Sequence, residues 1–401
     1  MDLASSHPIW LELDGSRQAY PRLQGDARAD VAVIGGGLTG ALVAHALVGA
    51  GLDTIVLDKR DVGTGSTAAS TALLQYELDV PLVDLRERIG REAADRAYIA
   101  CRDAVVNLET LATSLAVSTG FRRRHSLYLA AAARDLDAHR AELATRHDAG
   151  LGGEWLERDA LRRRFGIDCP GAIHSDGAAE VDAYALAHAL LADARARGLR
   201  VFAHTCVERV DARPDGVTLH LLGGGRVHAR HAVFATGYET RHFVGVGPAK
   251  LVSTFAIASM PDATPPLWRG SGALIWERAD PYHYLRTTVD ERVVVGGEDE
   301  DFRDPDHRDA LLAQKAERLA ARYRELFPGE TLNVDFAWAG TFGETDDGLP
   351  YFGAHDDWPS CQFALGYGGN GITFSVIGAE IVRDAIVGRA HPHADLFRFG
   401  R

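Results

Sequence analysis

One stretch decides the fold: residues 30–58, which read DVAVIGGGLTGALVAHALVGAGLDTIVLD. Within it, Val31–Ile34 is a continuous apolar run, as expected of a parallel strand that is buried on both faces. A Gly-x-Gly-x-x-Gly pattern follows at residues 35–40, then an apolar helix pattern, then a second apolar strand that ends in Asp58. This order of strand, glycine turn, helix, strand and acidic residue predicts a βαβ unit that binds a dinucleotide.

The glycine turn has a physical rationale at each position. The first glycine allows the tight turn, the second lets a pyrophosphate approach the backbone, and the third lets the helix pack closely on the strand. Free N–H groups and the positive end of the helix dipole then meet the phosphates, while Asp58 accepts hydrogen bonds from ribose hydroxyl groups. An ordinary glycine-rich turn is the other interpretation, and the pattern itself does not distinguish NAD from FAD.

Composition excludes several classes of protein. The 401 residues are 46% apolar and 25% charged, which is typical of a globular protein of two or three domains. With 43 basic and 56 acidic residues the net charge is −13, which disfavours nucleic acid and anionic membranes as partners. Val31–Leu52 lacks Asp, Glu, Lys and Arg, but its six glycines and its strand–turn–helix order argue against a transmembrane segment. No metal-ligand spacing of His, Asp, Glu or Cys is present, so we expect no metal site.

Cysteine usage and the first residues bear on location. The four cysteines, Cys101, Cys169, Cys206 and Cys361, lie at least 37 residues apart, so there is no C-x-x-C motif and no dense disulfide framework. Residues 1–7 contain neither a basic n-region nor an apolar run, so we expect no signal peptide. A cytoplasmic location fits these features best.

A second glycine cluster favours FAD over NAD. It reads Gly366-Tyr367-Gly368-Gly369-Asn370-Gly371 and lies where the last helix is predicted to begin. A helix N-terminus aimed at a ring carbonyl stabilises the negative charge that a flavin gains on reduction. Between the two glycine clusters, residues 250–300 alternate with period two, which predicts an antiparallel sheet.

Several motifs in the same order resemble the FAD-dependent D-amino-acid oxidase superfamily, in particular its glycine/sarcosine oxidase and γ-glutamylputrescine oxidase branch. The resemblance covers nearly the whole chain. The motifs are Pro21–Asp30, the glycine turn at 35–40, Asp58-Lys59-Arg60, Gly65–Thr71, Ala235-Thr236-Gly237, Trp338–Gly353 and the second glycine cluster with Ile372 and Thr373.

The resemblance implies an α/β fold combined with an α+β part. A Rossmann-like FAD-binding domain of the glutathione-reductase type would be interleaved with an antiparallel-sheet substrate domain. Segments 1–85, 155–245 and 335–401 would form the FAD-binding domain, and 86–154 and 246–334 the substrate domain. FAD would lie extended, with its ring between the two.

The resemblance also implies which residues hold FAD. Glycine-turn residues and Asp58 would contact the pyrophosphate and the adenosine ribose, Val207 the adenine, and the second glycine cluster the flavin. The full set is Gly35, Gly36, Gly37, Leu38, Thr39, Gly40, Asp58, Lys59, Gly65, Ser66, Thr67, Ser70, Thr71, Leu74, Val207, Ala235, Thr236, Gly237, Gly340, Gly368, Gly369, Asn370, Gly371, Ile372 and Thr373. Relatives with covalent flavin use a Cys near the position of Gly340 or a His after the first βαβ unit; neither is present, so we expect non-covalent FAD.

Two further departures from the family pattern concern the substrate and a hydrogen bond. Glycine and D-amino-acid oxidases carry an arginine in the segment that matches Thr341–Gly343, and often another at the position of Gly369, to grip the substrate carboxylate. This chain has Phe342 and Gly369 there, and without a bidentate guanidinium we do not expect a simple α-amino acid as substrate. The asparagine that is common after the first unit is Ser70 or Thr71 here.

Candidate substrate-pocket residues follow from chemistry and from position. Glu344 is a candidate partner for a substrate ammonium, with a solvent-exposed loop carboxylate as the alternative. Tyr284 and Arg286 share a phase with Tyr282 on one predicted strand, opposite to His283, and one of these two sets is expected to face the pocket. The candidates are Tyr76, Glu77, Tyr284, Arg286, Phe342, Glu344 and Tyr367; for Tyr76 and Glu77 a surface strand, and for Tyr367 simple packing, are the alternatives.

We therefore expect an FAD-dependent oxidoreductase that oxidises the C–N bond of an amine or N-substituted amino compound. By the resemblance, a hydride passes to flavin N5 and the imine product hydrolyses in water. Two alternatives stay open: the same fold acting on a C–OH substrate or passing electrons to a quinone or carrier, and a non-catalytic flavoprotein subunit of a hetero-oligomer. The sequence leaves open the substrate, the choice between oxygen and another electron acceptor, the oligomeric state and the existence of a catalytic base.

Overall fold

The strand Ala27–Ile34 is central to the fold in the computed structural model, which describes residues 4–13, 18–242, 250–365 and 367–401. Helix Leu38–Gly49 follows it, and strand Thr54–Leu57 pairs with it in parallel, so that Val31 lies opposite Thr54. The predicted βαβ unit thus forms, and Asp58 follows the second strand directly.

This unit belongs to a sheet of eight strands within the described residues. Five strands run parallel, which brings their carboxyl ends to one edge. The spatial order is Tyr351–Ala354, Cys361–Leu365, Arg226–Phe234, Ala27–Ile34, Thr54–Leu57 and Arg200–Phe202, and the hairpin strands Val207–Arg213 and Gly216–Leu221 pair beside Arg226–Phe234. We call this the nucleotide sheet.

Helices cover the nucleotide sheet. Leu38–Gly49 packs between Ala183–Ala196 and Gly371–Ile386, and the latter also contacts Arg91–Ser114. The Asp182 carboxylate caps Ala183–Ala196 by accepting a 2.9 Å hydrogen bond from the Ala185 N–H. The other helices are Ile9–Leu13, Ser66–Ala69, Leu82–Ile89, Leu136–Asp148, Arg158–Phe165, Pro266–Ser271, Pro305–Leu326 and Ala394–Phe397, with 3₁₀ turns at Ala133–Asp135, Gly237–His242 and Gly368–Asn370.

A second, mostly antiparallel sheet of ten strands within the described residues forms the other half; we call it the substrate sheet. One face packs on helix Pro305–Leu326, through a core that includes Val293, Val295 and Leu319. The spatial order is Ala4–Ser6, Val334–Glu344, Lys250–Ser259, Val293–Asp301, His283–Thr287, Leu274–Glu277, Arg122–Ala130, Gly171–Glu180 and Leu73–Leu74, and Glu154–Glu157 pairs with Gly171–Glu180.

The chain passes between the sheets more often than the predicted domain segments imply. Gly171–Glu180 and Val334–Glu344 lie in the substrate sheet, although segments 155–245 and 335–401 were assigned whole or nearly whole to the FAD-binding domain. The chain passes from one sheet to the other inside these segments, because each segment contains strands of both sheets. The division into two interleaved domains stays a proposal. No described helix combines the length and apolarity needed to cross a membrane.

Candidate active site

One cavity of about 620 Å³ is lined by both sheets. The nucleotide sheet contributes the carboxyl ends of its strands at Ile34, Leu57 and Ala235. The substrate sheet contributes side chains such as Thr254 and Tyr284. The cavity therefore lies where ligands bind in open α/β sheets, with a second wall of antiparallel strands.

Backbone contacts make glycine necessary at the ends of the turn. Gly35 has φ +106°, and a Cβ there would overlap the Ala235 carbonyl oxygen. A Cβ at Gly40 would overlap the Gly35 carbonyl oxygen, so the helix can lie this close to the strand only with glycine. Gly37 is the N-cap of helix Leu38–Gly49 and makes no side-chain cap, although the Leu38 N–H donates to Thr67 Oγ1 (2.9 Å). The next residue, Thr39, lines the cavity, so this helix end can still meet an anion.

Asp58 is fixed by two backbone donors. The Gly36 N–H donates to its Oδ2 (2.7 Å) and the Arg60 N–H to its Oδ1 (2.8 Å). Burial raises the pKa of Asp58, although these two hydrogen bonds and the Arg60 charge oppose the shift. Each carboxylate oxygen can accept more than one hydrogen bond, so Asp58, which lines the cavity, retains acceptors for ribose hydroxyl groups.

An ion-pair cluster closes the same end of the cavity. Glu239 accepts from Lys59 Nζ (2.7 Å) and from an Arg60 guanidinium nitrogen (2.9 Å). Burial alone would raise the pKa of Glu239, but the two cations outweigh it and hold this pKa below its usual range. The cluster ties the segment after Asp58 to the 3₁₀ turn Gly237–His242.

Two indoles hold the segment that contains Ser66 and Ser70. Trp338 Nε1 donates to the Ala69 carbonyl oxygen (2.9 Å), and Trp10 Nε1 donates to the Ser70 carbonyl oxygen (2.6 Å). The Ser66 hydroxyl is buried, lacks a hydrogen-bond partner among the described residues and belongs to a residue that lines the cavity. An orphaned hydroxyl group beside an open helix N-terminus fits a phosphate-bearing ligand.

The second glycine cluster lies at the other end of the cavity; Gly366 itself falls outside the described residues. The Gly369 N–H donates to Asp79 Oδ2 (2.7 Å), and a Cβ at Gly369 would approach Asp79 Oδ1 to 2.7 Å. Helix Gly371–Ile386 begins here. A Cβ at Gly340 would meet Ala69 and Thr254 at 3.5 and 3.6 Å, which are ordinary contact distances, and Gly340 lines the cavity.

Most of the predicted cofactor residues come together in this one cavity, and the open helix end, the unsatisfied Ser66 hydroxyl and the close glycine contacts fit a dinucleotide. The lining residues among them are Gly35, Gly37, Leu38, Thr39, Asp58, Lys59, Gly65, Ser66, Thr67, Ser70, Thr71, Val207, Ala235, Thr236, Gly237, Gly340, Gly368, Gly369, Asn370, Gly371 and Ile372.

Four predicted cofactor residues do not line the cavity. Gly36 and Gly40 act through the turn, by the hydrogen bond to Asp58 and by the close contact with Gly35. Leu74 is fully buried in a short strand of the substrate sheet. The Thr373 hydroxyl group donates to the Gln75 carbonyl oxygen (3.1 Å) and so positions the chain behind the cavity.

At the end that the second glycine cluster borders, the cavity is aromatic and acidic; we call it the substrate end. Tyr284 packs over Gly296, where a Cβ would overlap the ring. Burial raises the pKa of Tyr284 to about 12, although its hydrogen bonds with Thr71 and Thr254 lower this pKa. Tyr282 faces the cavity with Tyr284, whereas His283 faces the other side and contacts Glu277 and Glu298. The substrate end comprises Asp79, Thr254, Trp276, Tyr282, Tyr284, Asp299, Phe342 and Glu344.

Three predicted pocket residues lie elsewhere, and their roles need correction. Arg286 is buried and donates to the carbonyl oxygens of Ala72 and Val181, both at 2.8 Å. Ala72 has a strained, left-handed backbone conformation, and Arg286 stabilises the backbone there. Glu77 accepts a 2.5 Å hydrogen bond from the Ser175 hydroxyl group. Tyr76 packs edge-on against another tyrosine, with ring centroids 6.4 Å apart. None of the three lines the cavity.

Of the other predicted candidates, Phe342, Glu344, Tyr284 and Tyr367 do line it. The Tyr367 hydroxyl group donates to the Ala364 carbonyl oxygen (2.6 Å), so this side chain is also a packing element. Sequence reasoning missed Asp79, Thr254, Trp276, Arg278 and Asp299 as lining residues. Their spacing from the nearest motif gave no signal, because the fold and not sequence proximity brings them together; Asp79 and Arg278 even lie outside the strands.

Comparison with known proteins identifies the family. A family model described as FAD dependent oxidoreductase (DAO) matches residues 30–385. Glycine oxidase of Bacillus licheniformis is 27% identical over 370 residues, which cover 90% of this chain and 94% of that one. Gamma-glutamylputrescine oxidoreductase of Escherichia coli (strain K12) is 24% identical over 409 residues, covering 92% and 86%.

A solved structure supports the fold. The crystal structure of glycine oxidase from Geobacillus kaustophilus superposes with a TM-score of 0.77 at 22% identity and covers 91% of this chain and 96% of that one. The predicted fold class, the resemblance and the FAD cofactor are thereby confirmed. The chain belongs to the DAO family of FAD-dependent oxidoreductases.

Proposed function

We propose that this enzyme oxidises the C–N bond of an amine or N-substituted amino compound to an imine, which water then hydrolyses. The observation that carries the proposal is the substrate end of the cavity, where aromatic rings stand beside three carboxylates, Asp79, Asp299 and Glu344. An ammonium group is attracted both by carboxylates and by the faces of aromatic rings. A substrate carboxylate would be repelled.

Two positions also support a substrate without a carboxylate. They are the positions where, by the resemblance, relatives carry arginines that bind the substrate carboxylate. Phe342 presents an apolar ring to the cavity, and Gly369 has no side chain and stands against the Asp79 carboxylate. The described lining contains two arginines: Arg60 follows Asp58 at the other end of the cavity, and Arg278, beside the substrate end, is engaged by Asp84 at 2.6 Å. The relatives named glycine oxidase and gamma-glutamylputrescine oxidoreductase act, by those names, on nitrogen compounds.

FAD, when bound, supplies the acceptor for the two electrons that leave the C–N bond. In our proposal the glycine turn, Asp58 and Ser66 hold its phosphates and ribose, and Gly340 with Gly369–Gly371 leaves room for the ring. Thr254 and Tyr284 support the opposite wall, where the substrate carbon must lie for the reaction. The described lining residues include no histidine and one cysteine, Cys206, beside Val207 at the adenosine end, and we propose that FAD is not covalently attached.

The test is anaerobic mixing of the purified holoprotein with primary amines, N-methyl amino acids and 2-hydroxy acids, followed by the loss of flavin absorbance. We expect bleaching by amines. Bleaching by hydroxy acids alone would overturn the choice of bond. Re-oxidation by oxygen with formation of peroxide would identify an oxidase, and bleaching that only a quinone or carrier reverses would identify a dehydrogenase.

Two further outcomes would change the proposal, one for the catalytic role of the chain and one for the attachment of FAD. If no substrate class bleached the flavin until a second protein was added, the chain would be a subunit of a hetero-oligomer. Acid precipitation tests the mode of attachment: we expect all of the yellow colour in the supernatant, and colour retained in the pellet would show covalent flavin.

A further inference from the structure

We infer that the substrate is a diamine or polyamine without a carboxylate group, and that Asp79, Asp299 and Glu344 bind its positive charges. This inference rests on the proposed function and names the substrate class. Its strongest observation is Asp299, whose placement in the cavity and buried, unsatisfied Oδ1 atom point to a cationic ligand.

A β-bulge aims Asp299 into the cavity. Along Val293–Asp301, Val293 and Val295 pack in the core under helix Pro305–Leu326, whereas Val294 packs in the core on the other side. Regular alternation would point Glu298 towards the cavity, but the register shifts opposite Thr254, so that two residues face one. Asp299 then lines the cavity in place of Glu298.

The bulge is strained and is held from outside the cavity. Glu298 has φ +59°, an unfavourable conformation for a residue with a side chain. Its carboxylate contacts Lys315 and Arg318 of helix Pro305–Leu326, both at 3.3 Å, and His283 at 3.2 Å. Backbone strain that is stabilised by a separate ion-pair network is typical of a functional site, and here its result is the direction of Asp299.

The protein satisfies the Asp299 carboxylate only in part, through a hydrogen bond with Thr254. Its Oδ1 is buried and accepts no hydrogen bond from the described residues. Burial raises the pKa of Asp299 to about 7; Asp79 and Glu344 add to this, while Thr254 and His283 oppose it. A buried carboxylate without a partner is unfavourable, and a bound cation removes the penalty.

Charge balance favours two cations over one. No lysine or arginine in the described part of the chain forms an ion pair with Asp79, Asp299 or Glu344. Lys250 lies opposite Glu344 in the sheet register, but it pairs with Asp301. A single ammonium group would leave most of the three carboxylates without a cation. Two ammonium groups match them more closely, and the rings of Trp276, Tyr282 and Tyr284 suit the methylene chain between them.

The reaction balances with this substrate. One nitrogen is oxidised as the neutral amine: its CH–NH unit loses two electrons and two protons to become C=N, and bound FAD takes up the electrons. Water then converts the imine to an aldehyde and releases ammonia. The other nitrogen keeps its charge throughout, so its ion pair with the carboxylates positions the substrate without taking part in the oxidation.

The experiment compares short α,ω-diamines with n-alkylamines and ω-amino acids of the same chain length, by anaerobic bleaching of the holoenzyme. Binding is measured separately, from the flavin difference spectrum, with a diamine whose carbons next to nitrogen carry no hydrogen and which therefore cannot be oxidised. We expect a diamine to bind at least about thirtyfold more tightly than its matched monoamine, because truncating one partner of a buried charge pair has an effect of this size.

Variants assign the binding to these carboxylates. Asp299→Asn should weaken the binding of the non-oxidisable diamine by about thirtyfold or more, and the FAD content should be unchanged. Asp215→Asn is the control, the same change at an exposed aspartate that lies outside the lining, in the turn between strands Val207–Arg213 and Gly216–Leu221. If Asp299→Asn does not retain FAD, Glu344→Gln replaces it in the comparison.

The outcomes separate the inference from the proposed function. Equal binding of diamine and matched monoamine, or an unchanged diamine affinity in Asp299→Asn and Glu344→Gln, overturns the diamine inference, while bleaching by monoamines leaves the oxidation of amines in place. A preference for ω-amino acids also overturns the diamine inference. Absence of bleaching by every amine rejects the proposed function itself.

Discussion

The two ends of the cavity are built in different ways. At the nucleotide end, backbone atoms and glycines make the surface: Gly35, Gly37 and Gly40 admit close approach, and one carboxylate, Asp58, is held by two N–H groups. At the substrate end, side chains make the surface, and among the described residues the Asp299 Oδ1 atom lacks a partner. Close backbone contacts fix the nucleotide end before a ligand binds. The substrate end carries acidic side chains whose charge a bound ligand would balance.

This difference predicts how each end responds to mutation. A change at the nucleotide end should affect FAD content and stability together, because the fold and the site use the same backbone contacts. A change at the substrate end should leave FAD in place and alter substrate selection, and removal of a strained or unpaired group there should even stabilise the protein.

The largest effect is expected for Gly40→Ala. The added Cβ would overlap the Gly35 carbonyl oxygen and force helix Leu38–Gly49 away from the first strand. We expect loss of most bound FAD, measured as the ratio of flavin to protein absorbance, and a loss of about 3 kcal/mol or more in unfolding free energy.

Gly49→Ala is the matched control for this prediction, at the end of the same helix. A Cβ there meets Arg197 Nη1 no closer than 3.6 Å. We expect full FAD content and a gain of up to about 1 kcal/mol from helix propensity. Equal FAD loss in both variants would refute the steric explanation.

The same contrast explains what the sequence reveals. The nucleotide end could be predicted because residues 30–58 contain the strand, turn, helix and acidic residue consecutively. The glycines that the turn requires for steric reasons also stand in the sequence at the expected spacing. Fold class and cofactor follow from that stretch and from the second glycine cluster. The period-two pattern likewise gave the antiparallel strands, with Tyr282 and Tyr284 on one face.

The substrate end could be predicted only in part. Its acids come from three distant places: Asp299 and Glu344 lie on strands of the substrate sheet, whereas Asp79 lies in a loop and accepts a hydrogen bond from the Gly369 N–H. The bulge at Glu298 reverses the alternation, so period two alone points to the wrong carboxylate. Arg286 fails for a different reason: it has the right phase on its strand, but the backbone carbonyl groups of Ala72 and Val181 bind it outside the cavity.

A smaller effect, with a defined pH dependence, is expected for the stability of Asp299→Asn. Because the folded pKa of Asp299 is raised to about 7 from its ordinary value of 3.8, the folded protein binds a proton here that the unfolded chain releases. Its contribution to stability is therefore lost as the pH rises through about 7. The asparagine variant should melt roughly 2 °C higher at pH 8, and the gain should shrink as the pH falls towards 4.

Thermal melting of the two proteins from pH 4 to pH 9 measures this gain. A variant that is destabilised most at high pH would show that the Asp299 carboxylate has a cationic partner in the free enzyme. The Asp215→Asn control should melt with the parent protein across this range, because its side chain is exposed in a turn outside the cavity.

The smallest effect is expected for Trp10→Phe at the nucleotide end. The change removes the hydrogen bond from Trp10 Nε1 to the Ser70 carbonyl oxygen but keeps an aromatic ring. Loss of about 1 kcal/mol corresponds to about fivefold weaker FAD binding, measured by titration of the apoprotein with FAD. Trp358→Phe, an indole outside the cavity lining, should leave FAD binding unchanged.

The most direct measurement of the central claim is the rate of anaerobic flavin bleaching by a diamine and by the diol of the same carbon skeleton, in one preparation of holoprotein. The two compounds differ only in nitrogen against oxygen, so the comparison isolates the bond that the carboxylates of the substrate end select. We expect the diamine to bleach the flavin completely and the diol to leave the spectrum unchanged. Bleaching by the diol but not by the diamine would contradict our proposal that this cavity is built to oxidise amines.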